Sequence, residues 1–202
     1  MNTLSGNKIS YFVKPLLFTL CLIPLGILVW QAFTDNLGTN PVETLTHETG
    51  QWALRMLLIT LLITPLRRLL KANWLIKLRR MLGLYAFFYA FLHFITYIWL
   101  DQFFDIKEIL IDIPKRPFIT IGFTAFVLLI PLALTSTHAM QKRLKKKWIS
   151  LHKLIYVIPV LAIIHFIWTL KADYSEPIIY ASIFSLLMIM RALHDRKIIG
   201  TK

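Results

Sequence analysis

Cysteine, glycine and acidic residues are scarce in this 202-residue chain, and each scarcity removes a class of function. Cys21 is the only cysteine. That excludes an internal disulfide, covalent haem attachment through Cys-x-x-Cys-His and a cysteine-ligated iron–sulfur cluster, so a bound cofactor must be held by histidine, other side chains or packing. With seven glycines there is no Gly-x-Ser-x-Gly elbow and no Gly-rich nucleotide loop, which leaves hydrolase and kinase readings without support. Charged residues make up 16%, against about a quarter in a soluble domain. At 57% hydrophobic residues and a mean hydropathy of +0.64, neither an ordinary soluble enzyme nor a disordered tail fits. No internal repeat or low-complexity tract stands out.

What the chain has instead is long apolar runs, at about 15–33, 52–66, 81–100, 118–135, 154–170 and 177–191. A hydrocarbon core of about 30 Å takes about 20 residues of helix, so these predict an all-α membrane protein: a six-transmembrane-helix bundle forming one unit over residues 1–202. The second run, with Arg55 near one end, is short for a span. Pro24, Pro131 and Pro159 fall inside runs and predict kinks, which a membrane bundle tolerates by re-satisfying the freed carbonyls. The first run lacks a small-x-small cleavage site and reads as a retained span rather than a signal peptide.

The formal charge of +13 is not a nucleic-acid footprint, because the basic residues cluster beside apolar runs. With a cytoplasmic N-terminus, the cytoplasmic segments hold 18 of the 23 Lys and Arg, in the groups Lys8–Lys14, Arg67–Arg80, Lys142–Lys153 and Arg191–Lys202. Nine of the ten acids lie on the other side, with Arg55, Lys107, Lys115, Arg116 and Lys171. The positive-inside rule therefore predicts that both termini are cytoplasmic. Basic loops of this kind also attract anionic membrane lipid. Between the third and fourth runs, Asp101–Arg116 carries an amphipathic stretch expected to lie on the outer membrane surface and cap the bundle.

Ionisable side chains inside membrane helices are costly and usually functional. His93 lies 13 residues past Arg80, and His165 lies 13 residues past His152. At about 1.5 Å per residue, both sit roughly 20 Å along their helices, and so at one depth. Two imidazoles at one level on different helices suit the two axial positions of a haem iron; a proton relay or satisfied bundle histidines is the competing reading. His152 lies near the cytoplasmic end of the fifth run, where a second, inner haem would give a route across the membrane, with His138 the only nearby candidate partner. His47 and His194 read as ordinary surface or interface histidines.

Three stretches then resemble a known family: Thr49-Gly50-Gln51-Trp52-Ala53-Leu54, Thr64-Pro65-Leu66-Arg67-Arg68, and Arg79-Arg80-Met81-Leu82-Gly83-Leu84-Tyr85 running on to His93. Leu134-Thr135-Ser136-Thr137, Trp148-x-x-Leu151-His152-Lys153-Leu154-x-Tyr156 and His165 continue the likeness, which runs from about Thr46 to Arg191. The chain resembles the MsrQ (YedZ) family, haem-binding membrane subunits of the bacterial periplasmic methionine sulfoxide reductase system with a ferric reductase-like transmembrane domain. One departure is Lys145, where the family tends to have Gly.

The resemblance implies b-type haem, one or two, at His93 and His165 with His152 as a further ligand. In related oxidases an inner-haem histidine stands 14 residues before the outer one, and here that place is Arg79, a poor iron ligand while protonated. FMN is also implied, as are a multi-pass position in the bacterial cytoplasmic (inner) membrane and a periplasmic MsrP-like molybdopterin reductase as partner. Electrons would come from the quinone pool or a cytosolic flavin reductase, with the chain a non-catalytic electron-transfer subunit. The alternatives are a ferric reductase-type cytochrome lacking its dehydrogenase domain, and a small His-containing transporter or proton-conducting bundle.

Overall fold

A computed structural model describes the backbone of residues 3–199 and the side chains of residues 12–193. Its helices follow in the order α1 (Thr3–Phe33), α2 (Pro41–Leu69), α3 (Arg79–Thr96), α4 (Ile106–Lys115), α5 (Pro117–Leu134), α6 (His138–Leu144), α7 (Lys146–His152), α8 (Ile158–Thr169) and α9 (Ser175–Ile199). Short 3-10 turns at Asn73–Leu78 and Lys153–Tyr156 lead into α3 and α8, and a π turn, Tyr97–Asp101, follows α3. Six stretches are long and apolar enough to cross a membrane: Phe12–Phe33, Pro41–Leu69, Asn73–Asp101, Pro117–Leu134, Lys146–Thr169 and Ser175–Leu193. The six expected spans are all present.

The second span is the one whose edge moves most. It begins at Pro41, 11 residues before the expected edge, because Asn40 caps the helix by accepting from the Glu43 amide and Pro41 occupies its first turn. The polar residues that masked this start are satisfied within the bundle. Arg55 donates to Gln51 at 2.5 Å and to the Tyr180 hydroxyl at 2.8 Å, and lies over the Trp52 ring. Gln51 in turn donates to Glu176 at 2.6 Å, tying α2 to α9. Pro24 and Pro131 sit within unbroken helices, whereas Pro159 follows directly on the 3-10 turn that interrupts the fifth span.

Helix α2 packs most extensively on α3, and α5 on α8. Between them lies a core that includes Leu61, Leu82, Ala86, Tyr89, Ala125, Leu129 and Ile158. Tyr89, fully buried, donates to the Cys21 carbonyl at 2.7 Å, and Tyr85 donates to Phe18 at 2.9 Å, so α3 is pinned to α1 by hydroxyls that would otherwise be stranded in apolar surroundings. Lys145, between α6 and α7, has φ 48° and ψ −117°. That is a backbone region suited to glycine, so lysine here holds a turn that glycine would adopt without strain.

Candidate haem site

Four helices, α2, α3, α5 and α8, line a cavity of about 260 Å³, just below the roughly 300–1,000 Å³ typical of small-molecule and cofactor sites. His93 on α3 and His165 on α8 both line it, with ring centres 6.0 Å apart and planes at 72°. Each ring is held from behind. His93 Nδ1–H donates to the Thr46 carbonyl at 2.8 Å, and His165 Nδ1–H donates to the Phe118 carbonyl at 2.7 Å. A carbonyl only accepts, so both Nδ1 atoms carry the proton and both Nε2 atoms keep a free lone pair.

These two halves are copies of one arrangement. Adding 72 to a residue number carries Thr46 to Phe118, Gly50 to Gly122, Ala53 to Ala125, Leu57 to Leu129, Ala90 to Ala162, His93 to His165 and Phe94 to Phe166, and all fourteen line the cavity. Six of the seven pairs are identical residues. One span lies between α2 and α5, and one between α3 and α8, so each pair runs in the same direction, which makes this a parallel repeat. The expectation of no internal repeat is thus corrected. It failed because the identities are few and scattered: Leu62/Leu134, Leu82/Leu154 and Ile95/Ile167 match away from the cavity, while His47/Ile119, Gln51/Phe123, Leu54/Phe126 and Tyr97/Thr169 line it and differ.

The residues present fit a haem. Among the described residues no group of three or more His, Cys, Asp or Glu side chains is placed to hold a metal ion. Two imidazoles leave most of an ion's coordination positions open, and a porphyrin would supply the remaining four to a haem iron. Two imidazoles flanking one ion through metal–nitrogen bonds of about 2 Å have ring centres roughly 6 Å apart, which matches the observed 6.0 Å. The remaining wall is apolar or aromatic, including Leu54, Leu57, Phe94, Phe123, Phe126 and Phe166.

The polar lining is at one end. His47, Gln51, Tyr97, Asp101 and Arg116 belong to the cavity wall there. His47, expected at the surface or an interface, is half-buried, and the unforeseen first turns of α2 carry it to the cavity. Asp112 of α4 is nearly buried and accepts from Tyr97 Oη at 2.9 Å and from Gln102 Nε2 at 3.3 Å, with Arg116 Nε 2.6 Å away. This cluster seats the amphipathic α4 over the cavity end. Asp105 caps that helix by accepting from the Lys107 and Glu108 amides, Ile113 lines the cavity, and Ile106 and Leu110 remain exposed.

At the opposite, basic end, His152 closes α7 and stacks on Trp148 with ring centres 3.9 Å apart. Its Nδ1 is 3.2 Å from the Trp148 carbonyl, while Trp148 Nε1 donates to the Thr135 carbonyl at 2.9 Å. Neither His152 nor Arg79 is among the residues lining the cavity of His93 and His165. Arg79 is half-buried at the start of α3 and acts electrostatically on His152. The 72-residue offset pairs His152 with exposed Arg80, not with a second histidine. His138 is exposed at the start of α6, and the side chain of His194 lies outside the described residues. Arg191, read from sequence as a topology charge, is buried on α9, donating to Tyr156 Oη at 2.8 Å and to the Leu61 carbonyl at 2.5 Å.

Comparison with known proteins agrees with this geometry. Residues 49–163 match the ferric reductase like transmembrane component family. The protein-methionine-sulfoxide reductase heme-binding subunit MsrQ of Herminiimonas arsenicoxydans is 56% identical over 183 residues, covering 89% of this chain and 84% of that relative. The MsrQ subunit of Xanthomonas campestris pv. campestris strain 8004 is 52% identical over 173 residues, covering 83% and 79%. The MsrQ subunit of Azospira oryzae is 46% identical over 190 residues, covering 93% and 82%. With a two-histidine cavity at the centre of its bundle and this degree of identity over most of its length, the chain belongs to the MsrQ family of ferric reductase-like membrane proteins.

Proposed function

We propose that the chain is the b-haem electron-transfer subunit of a methionine sulfoxide reductase system. In this reading it carries electrons from the basic, cytoplasmic side to a periplasmic MsrP-like molybdopterin reductase that repairs oxidised envelope proteins. The observation that carries the proposal is the pair of Nδ1-anchored imidazoles, His93 and His165, facing each other across an apolar cavity. Bound between them, haem supplies a one-electron relay. The surrounding Phe and Leu side chains exclude water, and α4 covers the acidic end. The whole chain acts as one ferric reductase-like unit with both termini cytoplasmic.

A single haem is the stoichiometry this reading favours. The residue 72 positions before His152 is Arg80, exposed and an arginine, and His138 is exposed at the start of α6, so among the described residues the basic end seats no second imidazole as His93 and His165 are seated. His152 then marks where electrons enter, from quinol or a cytosolic flavin reductase, with FMN as the carrier on that side. The inner-membrane topology has its own test. A reporter active only outside the cytoplasm, fused after Lys202, gives no signal if both termini are cytoplasmic, and activity there would mean inverted insertion.

The functional experiment uses the purified protein in vesicles. A quinol analogue or reduced flavin should reduce the haem, and its reoxidation should follow on adding the periplasmic reductase with methionine sulfoxide. His152→Ala should keep most of the haem absorbance, be reduced about tenfold more slowly by the same donor, the effect of about 1.4 kcal/mol on a barrier, and still be reduced fully by dithionite. Reduced haem that the partner and sulfoxide leave unoxidised would contradict the proposed function. Parental reduction rates in His152→Ala would leave His152 an interfacial residue.

A further inference from the structure

The imidazoles of His93 and His165 bond to main-chain carbonyls that already belong to helices. Within α2 the Thr46 carbonyl faces the amide of the residue four positions on, Gly50, and within α5 the Phe118 carbonyl stands in the same relation to Gly122. A Cβ on a helix tilts toward the N-terminus, so a side chain at position i+4 lies over the carbonyl of residue i and screens it from the flank. Glycine at i+4 leaves that flank open. The histidine ring occupies the space: a Cβ built on Gly122 would lie 2.8 Å from both Nδ1 and Cε1 of His165, and one on Gly50 would lie 3.0 Å and 3.1 Å from Nδ1 and Cε1 of His93.

From this duplicated geometry we infer that Gly50 and Gly122 are positioning residues for the iron ligands. Each opens one helix carbonyl to an imidazole Nδ1–H and so fixes the ring plane and the direction of Nε2. The inference rests on the reading that His93 and His165 hold the haem. The two glycines occur at one spacing, 43 residues before their histidine, and both anchoring carbonyls lie 47 residues before it. Gly83 and Gly26 are not built this way. A Cβ on Gly83 would meet only Thr60 Cγ2, at 3.8 Å, and one on Gly26 would meet nothing within 4 Å.

A glycine-to-alanine change at a seat pushes the ring off its carbonyl. The Nδ1–H bond to an acceptor raises the basicity of a ligating imidazole, and loss of such outer-shell partners costs about 10–100-fold in metal affinity. A less basic ligand stabilises ferric iron less, so the midpoint potential moves in the positive direction. The size of the change should follow the contact distances: largest for Gly122→Ala, smaller for Gly50→Ala, and absent for Gly83→Ala and Gly26→Ala.

The test is electron paramagnetic resonance of the low-spin ferric haem, together with a redox titration, on the full-length parent and the four variants in one detergent. The expected result is a shifted or broadened low-spin signal and a more positive potential in Gly122→Ala, a weaker shift of the same sign in Gly50→Ala, and parental values in the two controls. If Gly122→Ala does not accumulate, Gly50→Ala with its milder contact carries the measurement. Parental signal and potential in the seat variants overturn the inference while leaving the haem reading intact, and an equal shift in Gly83→Ala overturns it by showing a general packing effect. A parent without any bis-histidine low-spin signal overturns the haem reading itself, and the inference with it.

Discussion

Replacing His93 or His165 by alanine should remove the low-spin haem spectrum and reduce haem per polypeptide at least about tenfold, the lower bound set by what loss of an outer-shell partner alone costs. The two variants should behave alike. Each histidine has the same support, a helix carbonyl within 2.8 Å and a glycine beneath the ring, and each faces the other from an equivalent helix. Absorbance per mole of protein, read after purification, decides the matter, and helical circular dichroism shows that the bundle persists. Parental haem with an unchanged spectrum in either variant would remove that histidine from the site.

The second large effect concerns volume rather than ligation. Ala53 and Ala125 are buried, line the cavity and are equivalent under the 72-residue offset. Phenylalanine at either position fills space that the cofactor needs. Overpacking a well-packed site costs about 1–3 kcal/mol, and each 1.4 kcal/mol is about tenfold in binding, so Ala125→Phe should lower haem occupancy by about tenfold or more. Ile27→Phe, on an exposed part of α1, should leave occupancy at the parental level. Full occupancy in both Ala125→Phe and Ala53→Phe would mean that the cofactor lies elsewhere.

The spans were legible because burial in lipid demands sustained apolar runs, and nothing in the packing overrides that demand. Their ends were less so. Pro41–Gln51 looks like a polar loop, yet a cap at Asn40 and the network joining Gln51, Arg55, Tyr180 and Glu176 make it helix. That extension brings Thr46, His47 and Gly50 to the cavity. The matched depth of His93 and His165 was readable from helical rise alone. What held their rings was not, because the partners are main-chain carbonyls, which every residue has, and glycines, which leave no side-chain signature. The 72-residue spacing was present in the sequence all along, but its few identities are scattered among many differences and become visible only once the structure shows which residues share the cavity. The packing of Arg191 was equally hidden: its position at the end of an apolar run shows a charge near a span end, and only the structure shows the guanidinium turned inward to Tyr156 and Leu61.

The central claim is that His93 and His165 hold one haem between them. Quantifying haem chemically against protein by amino-acid analysis, with the paramagnetic resonance spectrum recorded on the same sample, tests it most directly. The account predicts one b-type haem per chain with a bis-histidine low-spin signal that both His93→Ala and His165→Ala abolish. A low-spin signal that survives the loss of either histidine would contradict it, and two haems per chain would contradict the single-haem stoichiometry.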